Sequence, residues 1–258
     1  KEAYLQAGEY TLNKNVSPYQ LLLSLNHGKT TQASITFIEG HTFHQLQAKI
    51  KQNDALKQTL VNLPEAEIMK ALGSPYTVAE GLFFPDTFYF NRNTSDTAIL
   101  QRSYLSMQNK LADAWAKRDA NLPYKNSYQA LIMASIVEKE TGRASEQPMI
   151  AGVFINRLAI GMRLQTDPTV IYGMGRHYDG NIRKQDLLSD TPYNTYTRSG
   201  LPPTPIAMPG MAAIEAALHP AKTKALYFVG KGDGSHAFSN TLAEHNAAVA
   251  HYQLKNKK

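Results

Sequence analysis

Cysteine is missing from the 258 residues, and tryptophan occurs once. Without thiols the chain cannot build a zinc ribbon, an iron–sulfur site, a thiolate nucleophile or a structural disulfide, although it fits a reducing or an oxidising compartment equally. Long apolar runs are missing too. The longest, Ala130 to Val137, contains Ser135 and falls well short of the ~18 residues that would cross a bilayer, so the chain as written is expected to be soluble. Charge of one sign is in short supply: 27 Lys plus Arg stand against 21 Asp plus Glu, a net charge of +6. The basic residues are scattered, and only Lys255, Lys257 and Lys258 cluster, which favours a solvated surface over a nucleic-acid groove. Lys1 rather than Met opens the chain, so the N-terminus reads as the product of processing or of a chosen boundary, with any signal peptide or anchor outside it.

The chain is 43% hydrophobic, and its length can bury about three quarters of the unfolded surface, enough for one large domain or two modest ones. Gly8 to Leu12 reads as a strand. Ser17-Pro18 opens a helix that Gly28 closes, Ser34 to Ile38 alternates like a strand, and Thr42-x-x-Gln45 is a capping box for a helix carrying Leu46 and Ile50. A short helix over Asn62 to Gly73 precedes an aromatic, irregular strand from Glu80 to Phe90. Leu100, Tyr104, Met107, Leu111 and Trp115 keep three-to-four spacing on a helix of about Ser95 to Arg118. Further helices are expected from Ser127 to Gly142, from about Glu146 to Ile160, and from Pro209 to Leu218, then a hairpin of Ala225–Val229 and Ala237–Ser239 around Asp233-Gly234, and a last helix boxed by Thr241-x-x-Glu244. Between Met162 and Pro209, prolines, glycines and four tyrosines predict a functional loop segment of roughly fifty residues with only short helical pieces. The sum is an α+β fold: a small N-terminal β-α-β-α subdomain over residues 1–60, and a mainly helical domain over 61–258 with a long irregular loop segment and a C-terminal β-hairpin plus helix.

The helix of Ala130 to Val137 is apolar nearly all round and then ends in Glu138, Lys139 and Glu140. At about 100° per residue, Glu140 falls in one arc with Ile132, Met133, Ile136 and Val137, while Glu138 lies roughly 160° away. A carboxyl emerging from that stripe is desolvated, so its pKa rises and it can hold the proton of a general acid. The competing reading is a salt bridge to Arg143 or Lys139 in the last turn. Gln165, Thr166 and Asp167 precede a short helix, and Tyr193, Asn194 and Tyr196 follow; polar groups between flat aromatic faces suit sugar rings. Asp167 could equally be a helix N-cap before Pro168. His41-x-x-His44 has metal-like spacing but no carboxylate or cysteine to complete a set, so no metal site is expected. Gly173-x-Gly175 lacks the third glycine of a dinucleotide site, and His236 near Ser239 and His245 near Asn246 read as polar contacts rather than a hydrolytic triad.

Several stretches together resemble one family. They are Glu80-Gly-Leu-Phe-Phe-Pro-Asp-Thr-Phe, Ala134-Ser-Ile-Val-Glu-Lys-Glu-Thr, Val153-Phe-Ile-Asn-Arg-Leu, Gly161-Met-Arg-Leu-Gln-Thr-Asp-Pro-Thr-Val-Ile-Tyr-Gly, Tyr193-Asn-Thr-Tyr, Gly200-Leu-Pro-Pro-x-Pro-Ile and His236-x-Phe-Ser-x-Thr-x-x-Glu-His-Asn. In this order, over about residues 8 to 250, they resemble the YceG-like family of bacterial endolytic murein transglycosylases. The resemblance implies an enzyme that cuts inside new peptidoglycan strands, single-pass in the cytoplasmic membrane through an N-terminal anchor absent from this chain, with its catalytic domain on the outer face and peptidoglycan synthases (penicillin-binding proteins) as partners. It implies part of a LysM-like region, or a subdomain adjacent to it, within residues 1–60, and a catalytic domain over 61–258. By motif position the family's essential glutamate falls on Glu140; sugar contacts, with no individual role for any of them, are expected from Glu138, Asn156, Arg163, Gln165, Thr166, Asp167, Tyr172, Tyr193, Asn194, Thr195 and Tyr196. No cofactor or metal, and no nucleic acid, is implied. One acid suffices for such a reaction: it protonates the leaving oxygen and then takes the proton of the muramic C6 hydroxyl as a 1,6-anhydro ring closes. Two rival readings are a glycoside hydrolase in which Asp167 joins Glu140 as base or nucleophile, and a non-catalytic wall-binding scaffold.

Overall fold

The computed structural model describes residues 14–27 and 32–254. The expected strand over Gly8–Leu12, the helix stop at Gly28 and the basic cluster at Lys255, Lys257 and Lys258 lie outside the described residues. Helix α1 (Pro18–His27) starts behind Ser17, whose hydroxyl accepts the Gln20 N–H at 3.2 Å. Strand β1 (Ala33–Thr36) leads to α2 (Phe43–Lys51), where the box of Thr42 and Gln45 forms as the spacing predicts. After β2 (Leu56–Lys57), α3 covers only Glu65–Ala71. It begins later than Asn62 because Pro64 occupies the cap and holds Leu63 out of the helical region.

The aromatic stretch is irregular until β3 (Thr87–Phe90), and β4 (Thr94–Ser95) runs into α4 (Asp96–Ala116), capped by Ser95. Leu100, Tyr104, Met107 and Leu111 are buried on α4, whereas Trp115 is half-buried beneath the Arg118 guanidinium at 3.9 Å. Asp96 is fully buried, and its carboxylate accepts the backbone N–H groups of Thr59 at 2.9 Å and Val61 at 2.9 Å, so it ties the turn after β2 to the start of α4.

Helix α5 (Ser127–Glu140) is capped by Asn126 rather than Ser127, because the Asn126 side chain reaches the Gln129 N–H at 3.0 Å. It stops at Glu140, since Thr141 turns extended with φ −145°. A 3-10 turn precedes α6 (Gln147–Ala159), which ends at Gly161 with φ 70°, the left-handed cap that glycine suits. The Met162–Pro209 segment carries α7 (Asp167–Met174) and α8 (Lys184–Leu188) as its short helical pieces. Then come α9 (Met211–Leu218), the hairpin β5 (Tyr227–Gly230) and β6 (His236–Ser239), and α10 (Leu242–Val249) behind its Thr241–Glu244 box.

The result is α+β, with helices dominant and three two-stranded sheets among the described residues. β1 pairs antiparallel with β3, setting Ile35 opposite Phe88; β2 pairs parallel with β4; β5 and β6 form the hairpin. Every residue from Ala130 to Val137 is buried, and α4, α6, α7 and α9 pack around α5. Buried side chains from β1, α2, α4, α5, α6 and α9 belong to one apolar cluster. Among the described residues no helix is long and apolar enough to cross a membrane.

Candidate active site

Because α5 is buried from Ala130 to Val137, its last residue is delivered to the wall of a cavity instead of to open solvent. That cavity measures about 460 Å³, and Glu140 lines it with Arg157 of α6, the start of α7, Tyr196, the β5–β6 hairpin and α10. Glu140 keeps some surface toward the cavity, but protein encloses its carboxyl group, and the Thr166 hydroxyl donates to its Oε1. Burial pushes the Glu140 carboxyl up to about 7; the charge of Asp167 adds to the rise, while Thr166, His236 and Arg157 oppose it. A carboxyl in that range is divided between acid and base near neutrality, as proton shuttling requires.

Thr166 is held in place by its neighbours. Gln165 has φ 49°, left-handed for a residue with a side chain, a strain of about 1–3 kcal/mol that only a fixed surrounding sustains. Its N–H donates to the Thr195 carbonyl at 3.1 Å, the Thr166 N–H donates to Thr195 Oγ1 at 3.1 Å, and the Thr169 hydroxyl donates to the Thr166 carbonyl at 2.7 Å. The residue at the N-cap of α7 is Thr166, not Asp167; Asp167 is the first helical residue, and its Oδ1 accepts the Tyr196 hydroxyl at 2.5 Å.

Of the residues expected to hold sugars, Gln165, Thr166, Asp167 and Tyr196 therefore share the cavity with Glu140. Thr195 stands behind them through its bonds to Gln165 and Thr166. Asn194 is buried, donating to the Ser189 carbonyl at 2.7 Å and accepting the Tyr196 N–H at 2.8 Å, which fixes the turn that presents Tyr196. Arg163 donates to the Tyr196 carbonyl at 2.9 Å. Asn156 faces elsewhere, donating to the carbonyls of Thr223 and Ala225 at 2.9 and 3.0 Å. Glu138 also points away from the cavity: its carboxylate accepts the Gly210 N–H at 3.0 Å, and burial raises its pKa. Tyr172 and Tyr193 meet edge to face at 4.8 Å in the wall of a second cavity of about 700 Å³.

Several cavity residues escaped the sequence reading. Arg157 is buried, its Nε donating to the Leu226 carbonyl at 2.6 Å, and burial lowers its pKa; a lone arginine amid the apolar residues of α6 was the available signal. His236 pairs through Nδ1 with Glu146 at 2.7 Å, a polar contact as its spacing suggested, yet it also lines the Glu140 cavity. His245 stacks on Tyr227 at 5.3 Å in the same wall. Among the described residues, no group of three or more His, Asp or Glu side chains is placed to hold a metal ion.

The model of the YceG-like family matches residues 1–251. A protein of Bacillus subtilis (strain 168) named endolytic murein transglycosylase is 37% identical over 271 residues, covering 98% of this chain and 75% of that protein. One of the same name from Streptococcus pneumoniae serotype 2 (strain D39 / NCTC 7466) is 29% identical over 283 residues; the alignment covers 96% of this chain but 51% of that protein, so the chain spans about half of its length. The crystal structure of a yceG-like protein from Listeria monocytogenes superimposes with a TM-score of 0.70 at 34% identity, covering 94% of this chain and 84% of that one. With a family match over nearly its whole length and a related fold at that identity, the chain belongs to the YceG-like family.

Proposed function

We propose that this chain is a lytic transglycosylase that cuts the β-1,4 bond between N-acetylmuramic acid and N-acetylglucosamine inside peptidoglycan strands, leaving a 1,6-anhydro end. The observation that carries the reading is the Glu140 carboxyl, pushed up to about 7 at the wall of a cavity lined with hydroxyl, amide and aromatic groups; the names of the relatives agree with it. Protonated Glu140 donates to the glycosidic oxygen as the C1–O bond breaks, and the muramic ring passes through an oxocarbenium-like state. The carboxylate so formed takes the proton of that ring's C6 hydroxyl, and O6 bonds to C1. The Glu140 proton is restored and no water is consumed. Turnover falls as pH climbs past about 7, because the donor is then already ionised. The same reading sets the protein on the outer face of the cytoplasmic membrane, anchored N-terminally and working beside peptidoglycan synthases.

Digestion of glycan strands in heavy-oxygen water, followed by mass spectrometry, tests this. The expected product is an anhydro end without heavy oxygen, absent with Glu140→Gln and retained with Glu138→Gln, whose side chain points toward Gly210. Heavy oxygen at the new reducing end would instead indicate the hydrolase in which Asp167 acts with Glu140, and strand binding without cleavage would indicate a scaffold.

A further inference from the structure

The second cavity is larger than the one that holds Glu140, and the transglycosylation step does not use it. The two are neighbours. Lys139 and Glu140 are consecutive on α5 and line one cavity each, as do Pro168 and Asp167 at the start of α7. The floor is built around Glu80, 3% exposed, whose carboxyl accepts the Phe43 N–H at 3.0 Å and the Tyr172 hydroxyl at 3.1 Å. Around it stand the exposed cations Lys139 and Arg176, the half-buried carboxylate of Glu65, and apolar surface from Phe43 and Ile171.

A neutral sugar offers the exposed Lys139 and Arg176 no formal charge to pair with. A short peptide with free carboxylates and an amino group asks for cations, an anion and an apolar floor. Peptidoglycan carries such a peptide on the lactyl group of muramic acid, the ring whose C1 is attacked in the step above. We propose that the cavity between α2 and α7 receives this stem peptide, with Arg176 and Lys139 holding its carboxylates and Glu65 facing its amino group. The assignment rests on the transglycosylase reading. It makes the strand's peptide a second handle that seats the muramic ring against Glu140.

Two substrates test it: strands that bear stem peptides, and the same strands stripped of them by an amidase. The wild-type chain should cut the first with kcat/KM about tenfold higher, a preference of the size one charge-assisted contact supplies. Arg176→Ala should lose most of that preference through KM, keep the wild-type rate on stripped strands, and melt at the wild-type temperature, because its side chain is exposed; Arg176→Lys should recover part of it, and Lys139→Ala, which also loses the Nζ bond to the Gly40 carbonyl at 3.1 Å, should lose the same preference with a slightly lower melting temperature. Equal rates of the wild type on both strands, or variants slowed equally on both, would overturn the proposal. Anhydro product from stripped strands would leave the transglycosylase reading standing in that case. If the wild type cut neither strand, that reading would fail, and calorimetric titration of the whole chain with the free stem tripeptide would still decide the cavity: binding lost in Arg176→Ala supports it, and no binding by the wild type refutes it.

Discussion

Glu140 and Glu80 are both carboxyls that burial pushes up to about 7, and they are reached by different routes through the sequence. Glu140 was legible because it ends an apolar helix on that helix's apolar arc, and the arc fixes its direction before any tertiary contact is known. Glu80 sits in irregular chain, where no periodicity points a side chain anywhere; its burial depends on Tyr172, 92 residues further on. The consequence for stability has a definite sign. A carboxyl held near 7 when folded and near 4.5 when unfolded binds more protons in the folded state between those values, so stability is full below about 4.5 and falls as pH rises through 7. For Glu80 the loss is about 3 kcal/mol on conversion of its shift. Glu80→Gln keeps the shape of the protonated acid and cannot ionise, so denaturant unfolding at pH 5 and pH 8 should show a smaller drop between the two than the wild type does, the raised carboxyls of Glu140 and Glu138 still contributing. An unchanged drop would mean that Glu80 is ionised in the folded chain at pH 8 at no cost.

Elements were legible where local chemistry decides them and less so where a distant segment does. The boxes of Thr42 with Gln45 and Thr241 with Glu244 close within one turn and form as read. Asn126 displaced Ser127 as a cap because both are good acceptors one residue apart, and only the bond to Gln129 chooses between them. Gly152 is a sharper case, for nothing local explains a glycine in mid-helix. A Cβ there would lie 2.6 Å from the Ala221 carbonyl oxygen and 2.9 Å from the Thr223 side chain, and the Ala221 N–H donates to Pro148 at 2.9 Å across the same contact. Helix α6 is thus pressed against the chain entering β5. Gly152→Ala should gain about 1 kcal/mol of helix propensity and lose about 1–3 kcal/mol to the overlap. Backbone cannot swing aside as a side chain does, so the overlap wins. The unfolding midpoint should fall, and activity should fall with it, because α6 also carries Arg157 into the Glu140 cavity; a raised midpoint would show that the contact yields.

At the scale of the molecule, alternation tells which face of a strand is apolar but not which strand it meets. The pairing of β1 with β3, whose Thr36 and Thr87 hydroxyls bond at 2.9 Å across 51 residues, had no signature in either segment. Neither did the lock between the turn before α2 and the start of α9, where the Gly40 N–H donates to Met208 and the Met208 N–H to His41, both at 2.8 Å. These contacts give the whole chain a testable property. Ile35, Phe43, Leu46 and Ile50 belong to the same apolar cluster as α5 and α9, and Phe43 stacks on Phe83 at 5.1 Å. Losing one large buried side chain costs about 2–5 kcal/mol, and a domain's whole margin is about 5–15 kcal/mol; removing residues 1–60 deletes all four at once and strips β3 of its partner. Calorimetry of the full chain should therefore give a single transition whose van't Hoff and measured enthalpies agree, and a chain beginning at residue 61 should give none. Two separate transitions, or a cooperative melt and a near-ultraviolet dichroism signal from the shorter chain, would show instead that the helical part carries its fold alone and that β1 and α2 are docked on it from outside.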